Sequence, residues 1–115
     1  MGKILAGYLF PHPPIIMEEI GRGEEKKARK TVEGGKALAK DIAEIKPTTI
    51  LMITPHGPLF RDAISISMEE KLSGDFTNFG NSSLRFNFKN NLKLINKIIE
   101  ESKIQNINIA EVDKN

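Results

Sequence analysis

Hydrophobic and polar residues follow patterns along the chain that predict four strands and two helices. Residues 3–9 form a short apolar run closed by Pro11, which is typical of a buried strand. Residues 48–54, TTILMIT, are almost continuously apolar, as expected for a strand that is covered on both faces. Apolar and polar residues alternate over 62–68, which indicates a half-exposed or edge strand, and 107–112 predicts a final short strand.

Two further segments have apolar residues at helical spacing. Residues 24–46 begin with two acids, which the helix dipole favours in a first turn, and the helix is expected to end before Pro47. Gly34 and Gly35 each weaken this helix by about 1 kcal/mol relative to alanine, so we expect them to mark close packing against a sheet. Residues 91–103 predict a second amphipathic helix with one apolar face: Leu92, Ile95, Ile98 and Ile99.

The order of these elements predicts the fold class. The first βαβ unit favours a parallel pair of strands with a right-handed crossover. We therefore expect an α/β fold, a three-layer α/β/α sandwich with a mostly parallel sheet. The length of 115 residues fits one domain, residues 1–115. Residues 10–23 and 73–88 are rich in turn-forming residues and are predicted to be loops, the second with short extended pieces.

Composition excludes several function classes. The chain has 17 basic and 15 acidic residues, and the two signs are interleaved, so we expect no nucleic-acid partner. It has no cysteine, which excludes disulfides and thiolate metal sites and favours a cytoplasmic location. No apolar run approaches the roughly 20 residues of a membrane span, so no membrane partner is expected either.

Both histidines of the chain, His12 and His56, stand in the same local setting. Each follows a proline, and each Pro-His pair follows an apolar run that is predicted to be a strand. Ligands of open α/β sheets bind outside the carboxyl ends of the strands, and neighbouring strands lie about 4.8 Å apart. We therefore expect the two imidazoles to converge on one metal ion. The alternative is that both are polar loop residues, and spacing alone names neither a metal nor a reaction.

Residues beside the histidines are candidates for shaping this site. Because the residue before a proline avoids the helical region, Pro13 restricts His12 to an extended backbone. Gly57 permits a sharp turn or the close approach of a ligand beside His56. The charged pair that follows is a candidate for contacting an anionic ligand or supporting His56, with a local turn and surface ion pair as the alternative: Arg61 and Asp62.

Four segments resemble the class III extradiol ring-cleavage dioxygenases, above all the domain of this type in the AmmeMemoRadiSam group: HPPII, GRGEEKKARKT, ITPHGPLFRDAISI and GDFTNFG. The resemblance covers nearly the whole chain. It implies an oxidoreductase that opens a small aromatic diol with O2. It also implies a non-haem Fe(II) centre, with Zn(II) as the alternative metal, held by two histidines and one glutamate. The two histidines match His12 and His56.

The glutamate ligand and the catalytic histidine of that family match no position here. The catalytic residues are therefore unknown, and the chain is predicted to be an N-terminal portion of the domain that is inactive by itself. Glu111 and Asp113 do not match the ligand position, and we interpret them as solvated. We also expect a homo-oligomer, since a partial sheet leaves unpaired edges. The rival hypotheses are a metal-binding protein without dioxygenase activity and an interaction module that binds no metal.

Overall fold

The computed structural model describes residues 2–11 and 16–113. The chain divides into two units, Met1–Ile50 with Asp75–Arg85 and Leu51–Gly74 with Phe86–Asn115. The elements, in chain order, are α1 (Glu18–Gly21), a 3₁₀ turn (Glu24–Ala28), α2 (Arg29–Ile45), β1 (Ile64–Ser67), β2 (Lys71–Phe76), a 3₁₀ turn (Thr77–Phe79), β3 (Asn81–Lys89), α3 (Leu92–Ile104) and β4 (Ile109–Val112).

Helix α2 is the main element of the first unit, and it confirms the helix predicted over 24–46. Its first predicted turn is the 3₁₀ turn Glu24–Ala28, and the regular helix follows from Arg29. The helix ends at Lys46, which adopts the left-handed conformation with φ 53° and donates its N–H to the Ile42 carbonyl. A left-handed residue with this hydrogen bond is a common helix stop. Pro47 comes next, as the sequence predicted.

Strands β1 and β4 form a parallel pair in the second unit. The register runs from Ile64 opposite Ile109 to Ser67 opposite Val112. The strands predicted within 62–68 and 107–112 are therefore confirmed. Just before the two strands begin, the Asn108 side chain donates a hydrogen bond to the Asp62 carbonyl at 3.2 Å, which extends the contact between them by a further residue pair.

Helix α3 lies between these strands in sequence and begins at a side-chain cap. The Asn91 carboxamide oxygen accepts the Leu94 N–H at 3.0 Å, an interaction that typically stabilises a helix by about 1 kcal/mol. Ile95 is the buried large apolar side chain among the described residues. Ser102, also buried, donates its hydroxyl to the Ile99 carbonyl at 2.7 Å. The second predicted helix is therefore confirmed, shifted by one residue.

Residues 73–88, predicted as a loop with short extended pieces, are more regular than expected, because β2 and β3 pair there in a two-stranded sheet. Of the glycine and asparagine residues that suggested a loop, Asn78 and Gly80 lie in the connection between the strands, whereas the others lie within the strands: Gly74, Asn81 and Asn87. Gly80 has φ 82° and donates its N–H to the Thr77 carbonyl, which ends the 3₁₀ turn. Asp75 accepts the Thr77 N–H at 2.9 Å. The Phe76 and Phe79 rings pack against each other, with centroids 6.0 Å apart.

The strands predicted over 3–9 and 48–54 are wrong, since both segments are irregular in the described residues. A strand is stabilised by backbone hydrogen bonds to a neighbouring strand. Within 2–11 and 16–113, no strand pairs with either segment. Their apolar side chains are largely exposed, Leu9 and Ile53 almost completely. An apolar run is therefore insufficient for a strand when no partner strand is present.

The described elements are helices and strands with a small parallel sheet, which agrees with the predicted α/β class. The described strands form two sheets of two strands each, in the orders β1-β4 and β2-β3. The three-layer sandwich with a mostly parallel sheet stays a prediction. Within the described ranges, no helix combines the length and the apolar character that a membrane crossing requires.

Candidate functional site

His56 lies in an exposed turn of the second unit. Its backbone N–H donates to the Thr54 hydroxyl at 3.2 Å, a bond that spans Pro55 and closes the turn locally. The next residue, Gly57, lies against β1: a Cβ added at Gly57 would lie 3.8 Å from the Ser65 hydroxyl oxygen. The turn that carries His56 is thus placed beside the parallel strand pair, although no strand precedes it in the described part of the chain.

His12 and Pro13 lie outside the described residues. The convergence of the two imidazoles on one metal ion therefore stays a prediction, and so does the role of Pro13. The structure does describe the chain up to Pro11, the residue next to His12.

The segment before His12 is held on α2 at two positions. The Tyr8 hydroxyl donates a hydrogen bond to the Asp41 carboxylate. This bond raises the pKa of Tyr8, and the negative charge of Asp41 acts in the same direction. Two residues later, the Phe10 ring packs closely against Gly35, with its Cζ 3.3 Å from the position of an ideal Cβ on that glycine. Gly35 is buried and does mark close packing, but against Phe10 of an irregular segment and not against a sheet. Gly34 is exposed and has nothing within 4 Å of an ideal Cβ, so the expectation is wrong for that glycine.

Arg61 and Asp62 lie in an exposed bend that leads into β1. The Asp62 main chain has a structural role, because its carbonyl accepts a hydrogen bond from the Asn108 side chain. Contact of either side chain with an anionic ligand, or support of His56, stays a prediction.

The two carboxylates near the end of the chain are exposed, as their interpretation as solvated residues requires. Glu111 lies in β4, opposite Ile66 of β1, and Asp113 follows that strand. In residues 2–11 and 16–113, no three histidine, aspartate or glutamate residues are grouped so that they could hold a metal ion. Imidazole is a suitable donor for Fe(II), so His56 fits such a centre chemically. The described residues alone do not complete one.

Sequence reasoning missed Tyr8 and Asp41, which are 33 residues apart. No local pattern links them, since one lies in an apolar run and the other on an amphipathic helix. A signal was nevertheless present. Tyr8 and Phe10 are two apart and so share one side of an extended segment, while the exposed Leu9 between them faces away.

Comparison with known proteins gives the family. The sequence matches the family described as the catalytic LigB subunit of aromatic ring-opening dioxygenase over residues 6–115. The chain belongs to this family. The resemblance on which the sequence analysis rested is thereby confirmed at the family level, and the chain is grouped with ring-opening dioxygenases, which are oxidoreductases. The LigB family is typically metal-dependent.

A curated relative of the chain is Protein CA_C1420 of Clostridium acetobutylicum, which is 46% identical over 93 residues. The match covers 81% of this chain and 20% of the relative, so the chain spans about a fifth of the relative's length. No solved structure matches the chain significantly. The activity and substrates of a whole LigB protein are therefore matters for proposal.

Proposed function

We propose that this chain supplies two histidine ligands, His12 and His56, to a non-haem Fe(II) centre for extradiol cleavage of a catechol-like ring. The observation that carries the proposal is the LigB family match over residues 6–115, because it spans both Pro-His segments. Both histidines stand in the same Pro-His setting, and His56 lies in an exposed turn.

The residues near each histidine have distinct roles in this proposal. The neutral imidazoles of His12 and His56 bind the metal. Thr54 shapes the His56 turn through its hydroxyl, and Gly57 leaves room beside it. Arg61, a cation in the exposed bend near β1, attracts the anionic diol. Fe(II) held by these two histidines would supply the redox link between an aromatic diol and O2.

The third ligand, a carboxylate in the family, is assigned to no residue of this chain. Ligand number strongly affects metal affinity, so two imidazoles are expected to bind Fe(II) or Zn(II) weakly. We infer that the chain alone does not open a catechol ring and that the complete centre needs a carboxylate from elsewhere. Membership of the AmmeMemoRadiSam group is part of the same proposal.

Zinc titration followed by NMR tests the ligand assignment. Because the chain contains two histidines, its imidazole protons give two sets of signals, which His12→Ala and His56→Ala assign. Zn(II) should shift both sets together, with the same dependence on zinc concentration, as one shared site requires. Arg61→Ala is the matched control, since it should leave both shifts unchanged while weakening the binding of an anionic catechol analogue. Signals that respond to zinc independently, or not at all, would contradict the proposal.

The rival hypotheses predict different results in the same experiments. A metal-binding protein without dioxygenase activity would bind the metal through both histidines, yet would consume no O2 with any catechol even when a carboxylate ligand is restored. An interaction module would bind no metal. The exposed aliphatic run at 50–53 favours this second rival, since exposed apolar patches commonly mark protein interfaces.

A further inference from the structure

The two contacts between residues 8–10 and helix α2 form a clamp, which we define as the Tyr8–Asp41 hydrogen bond and the Phe10–Gly35 contact. The earlier residue of the segment contacts the later residue of the helix, so the segment runs in the direction opposite to α2. Tyr8 and Phe10 share one side of the segment because they are two residues apart. One contact is polar and the other is apolar, and together they fix both the position of the segment and its rotation.

The apolar half of the clamp depends on the lack of a side chain at Gly35. An ideal Cβ at this position would lie 3.3 Å from Phe10 Cζ and 3.6 Å from Phe10 Cε2. An alanine there would push the ring outward by a few tenths of an ångström. The neighbouring Gly34 has nothing within 4 Å of its own ideal Cβ. The chain therefore contains a matched pair of glycines, one in contact with Phe10 and one not.

The clamp ends immediately before His12. Pro11 alone separates Phe10 from His12 in the sequence, and its ring fixes its own φ. Few free torsions therefore lie between the clamped Phe10 backbone and the histidine. A ligand side chain binds a metal well when the groups behind it hold it in place.

We propose that Asp41 and Gly35 are positioning residues for His12, acting through Tyr8 and Phe10 respectively. This inference rests on the proposed function, in which His12 is a metal ligand. It goes further by assigning a role to helix α2, from which no ligand comes.

Tyr8 provides a direct probe of the clamp, because it is the single tyrosine of a chain without tryptophan. Its near-ultraviolet absorbance therefore reports its own ionisation and nothing else. The hydrogen bond to Asp41 raises the pKa of Tyr8. Asp41→Asn should bring that pKa back towards the ordinary value of 10.0. Failure of the pKa to fall would show that the polar half of the clamp does not exist in solution.

The test of positioning compares zinc affinity and the His12 imidazole signals across matched variants. Tyr8→Phe, Asp41→Asn and Gly35→Ala should each weaken zinc binding by about 10-fold, as is typical when a group that orients a ligand is lost. They should also shift the metal-free signals of His12 while leaving those of His56 in place. Gly34→Ala is the control and should change neither quantity.

Each remaining outcome has a defined meaning. If His12→Ala abolishes zinc binding but the three clamp variants bind like the unaltered chain, the positioning inference is wrong and the proposed function stands. If His12→Ala itself leaves zinc binding intact, both fail. Equal losses for Gly34→Ala and Gly35→Ala would assign the effect to the helix and overturn the role of the Phe10 contact. Asp41 is exposed, so Asp41→Asn keeps the test open if Gly35→Ala does not fold.

Discussion

The two Pro-His segments have similar sequences but different surroundings. Before His12, Tyr8 and Phe10 are 38% and 52% exposed and contact α2, while Leu9 between them is 95% exposed. Before His56, exposure rises along the run from 64% at Ile50 to 93% at Ile53, with no alternation. The segment before His12 has one face that packs on α2 and one face that is exposed. The segment before His56 has no covered face among the residues that the structure describes.

The difference shows that an apolar run acquires a structure from what it packs against. The segment before His12 contains two aromatic residues, Tyr8 and Phe10. On α2, the Asp41 carboxylate accepts a hydrogen bond from the Tyr8 hydroxyl and Gly35 contacts the Phe10 ring. The run before His56 is aliphatic and has no side chain suited to such a specific contact. It would become ordered only by packing on a flat apolar surface or by pairing with a strand edge. Substitutions in the two segments should therefore have different effects.

The largest expected effect concerns the histidines themselves. If both are metal ligands, His12→Ala and His56→Ala should each weaken zinc binding by about 100-fold or more, which exceeds the loss expected for a group that only orients a ligand. Isothermal titration with zinc measures this, with the exposed Gln105→Ala as a control. An effect at one histidine alone would mean that the two segments differ in function as well as in structure.

The second prediction concerns assembly. The exposed run at 50–53 is expected to be covered by a second copy of the chain, and a two-fold dimer is the commonest arrangement. Light scattering should then give about twice the monomer mass of 12.8 kDa. Ile53→Asp should raise the dimer dissociation constant by at least about 10-fold, because a charge would be buried at the interface.

Leu9→Asp is the control for assembly, since Leu9 is as exposed as Ile53 but belongs to the clamped segment. It should leave the dimer intact. A monomer mass for the unaltered chain, without binding of a dye that detects exposed apolar surface, would show that no second copy covers the run.

The third prediction compares the two segments by stability. Phe10→Ala should lower the free energy of unfolding by about 1 kcal/mol, because about half of a large side chain loses its contact with the helix. Met52→Ala should change it by less than about 0.5 kcal/mol, since that side chain is largely exposed in a single copy. Denaturant unfolding at low protein concentration measures both. Equal losses would show that the second run is packed in solution.

The smallest expected effect is a pH dependence of the clamp. The pKa of Tyr8 is raised in the folded chain, so the protonated hydroxyl is favoured there. The resulting stabilisation is present in full below the ordinary pKa of 10.0 and is lost as the pH rises through the higher folded value. The difference in unfolding midpoint between the unaltered chain and Tyr8→Phe should therefore be constant near neutrality and vanish in strong alkali. Because Tyr8→Phe keeps the ring and removes only the hydroxyl, a difference that persists there would show that the effect of the hydroxyl does not depend on its proton, which contradicts the hydrogen bond to Asp41.

Elements that depend on nearby residues were predictable from the sequence. Helix α2 follows from its apolar spacing and from the stop at Lys46 and Pro47, and α3 follows from its apolar face and the Asn91 cap. The paired strands β1 and β4 lie within segments whose patterns predicted strands. The family, too, was recognisable from short motifs around the histidines. These features are local because helix hydrogen bonds and caps join residues a few positions apart.

Tertiary structure alone decided the rest. Whether residues 3–9 and 48–54 become strands depends on a distant partner edge, which no local pattern encodes. The pairing of β2 with β3 was likewise hidden within a loop-like composition. The clamp joins Tyr8 to Asp41 and Phe10 to Gly35 across more than twenty residues of intervening chain, so the sequence singled out both histidines as candidates but not the helix that contacts the segment before His12. Local hydrogen bonding determines which segments are helical, whereas packing between distant segments determines which apolar runs are held and where.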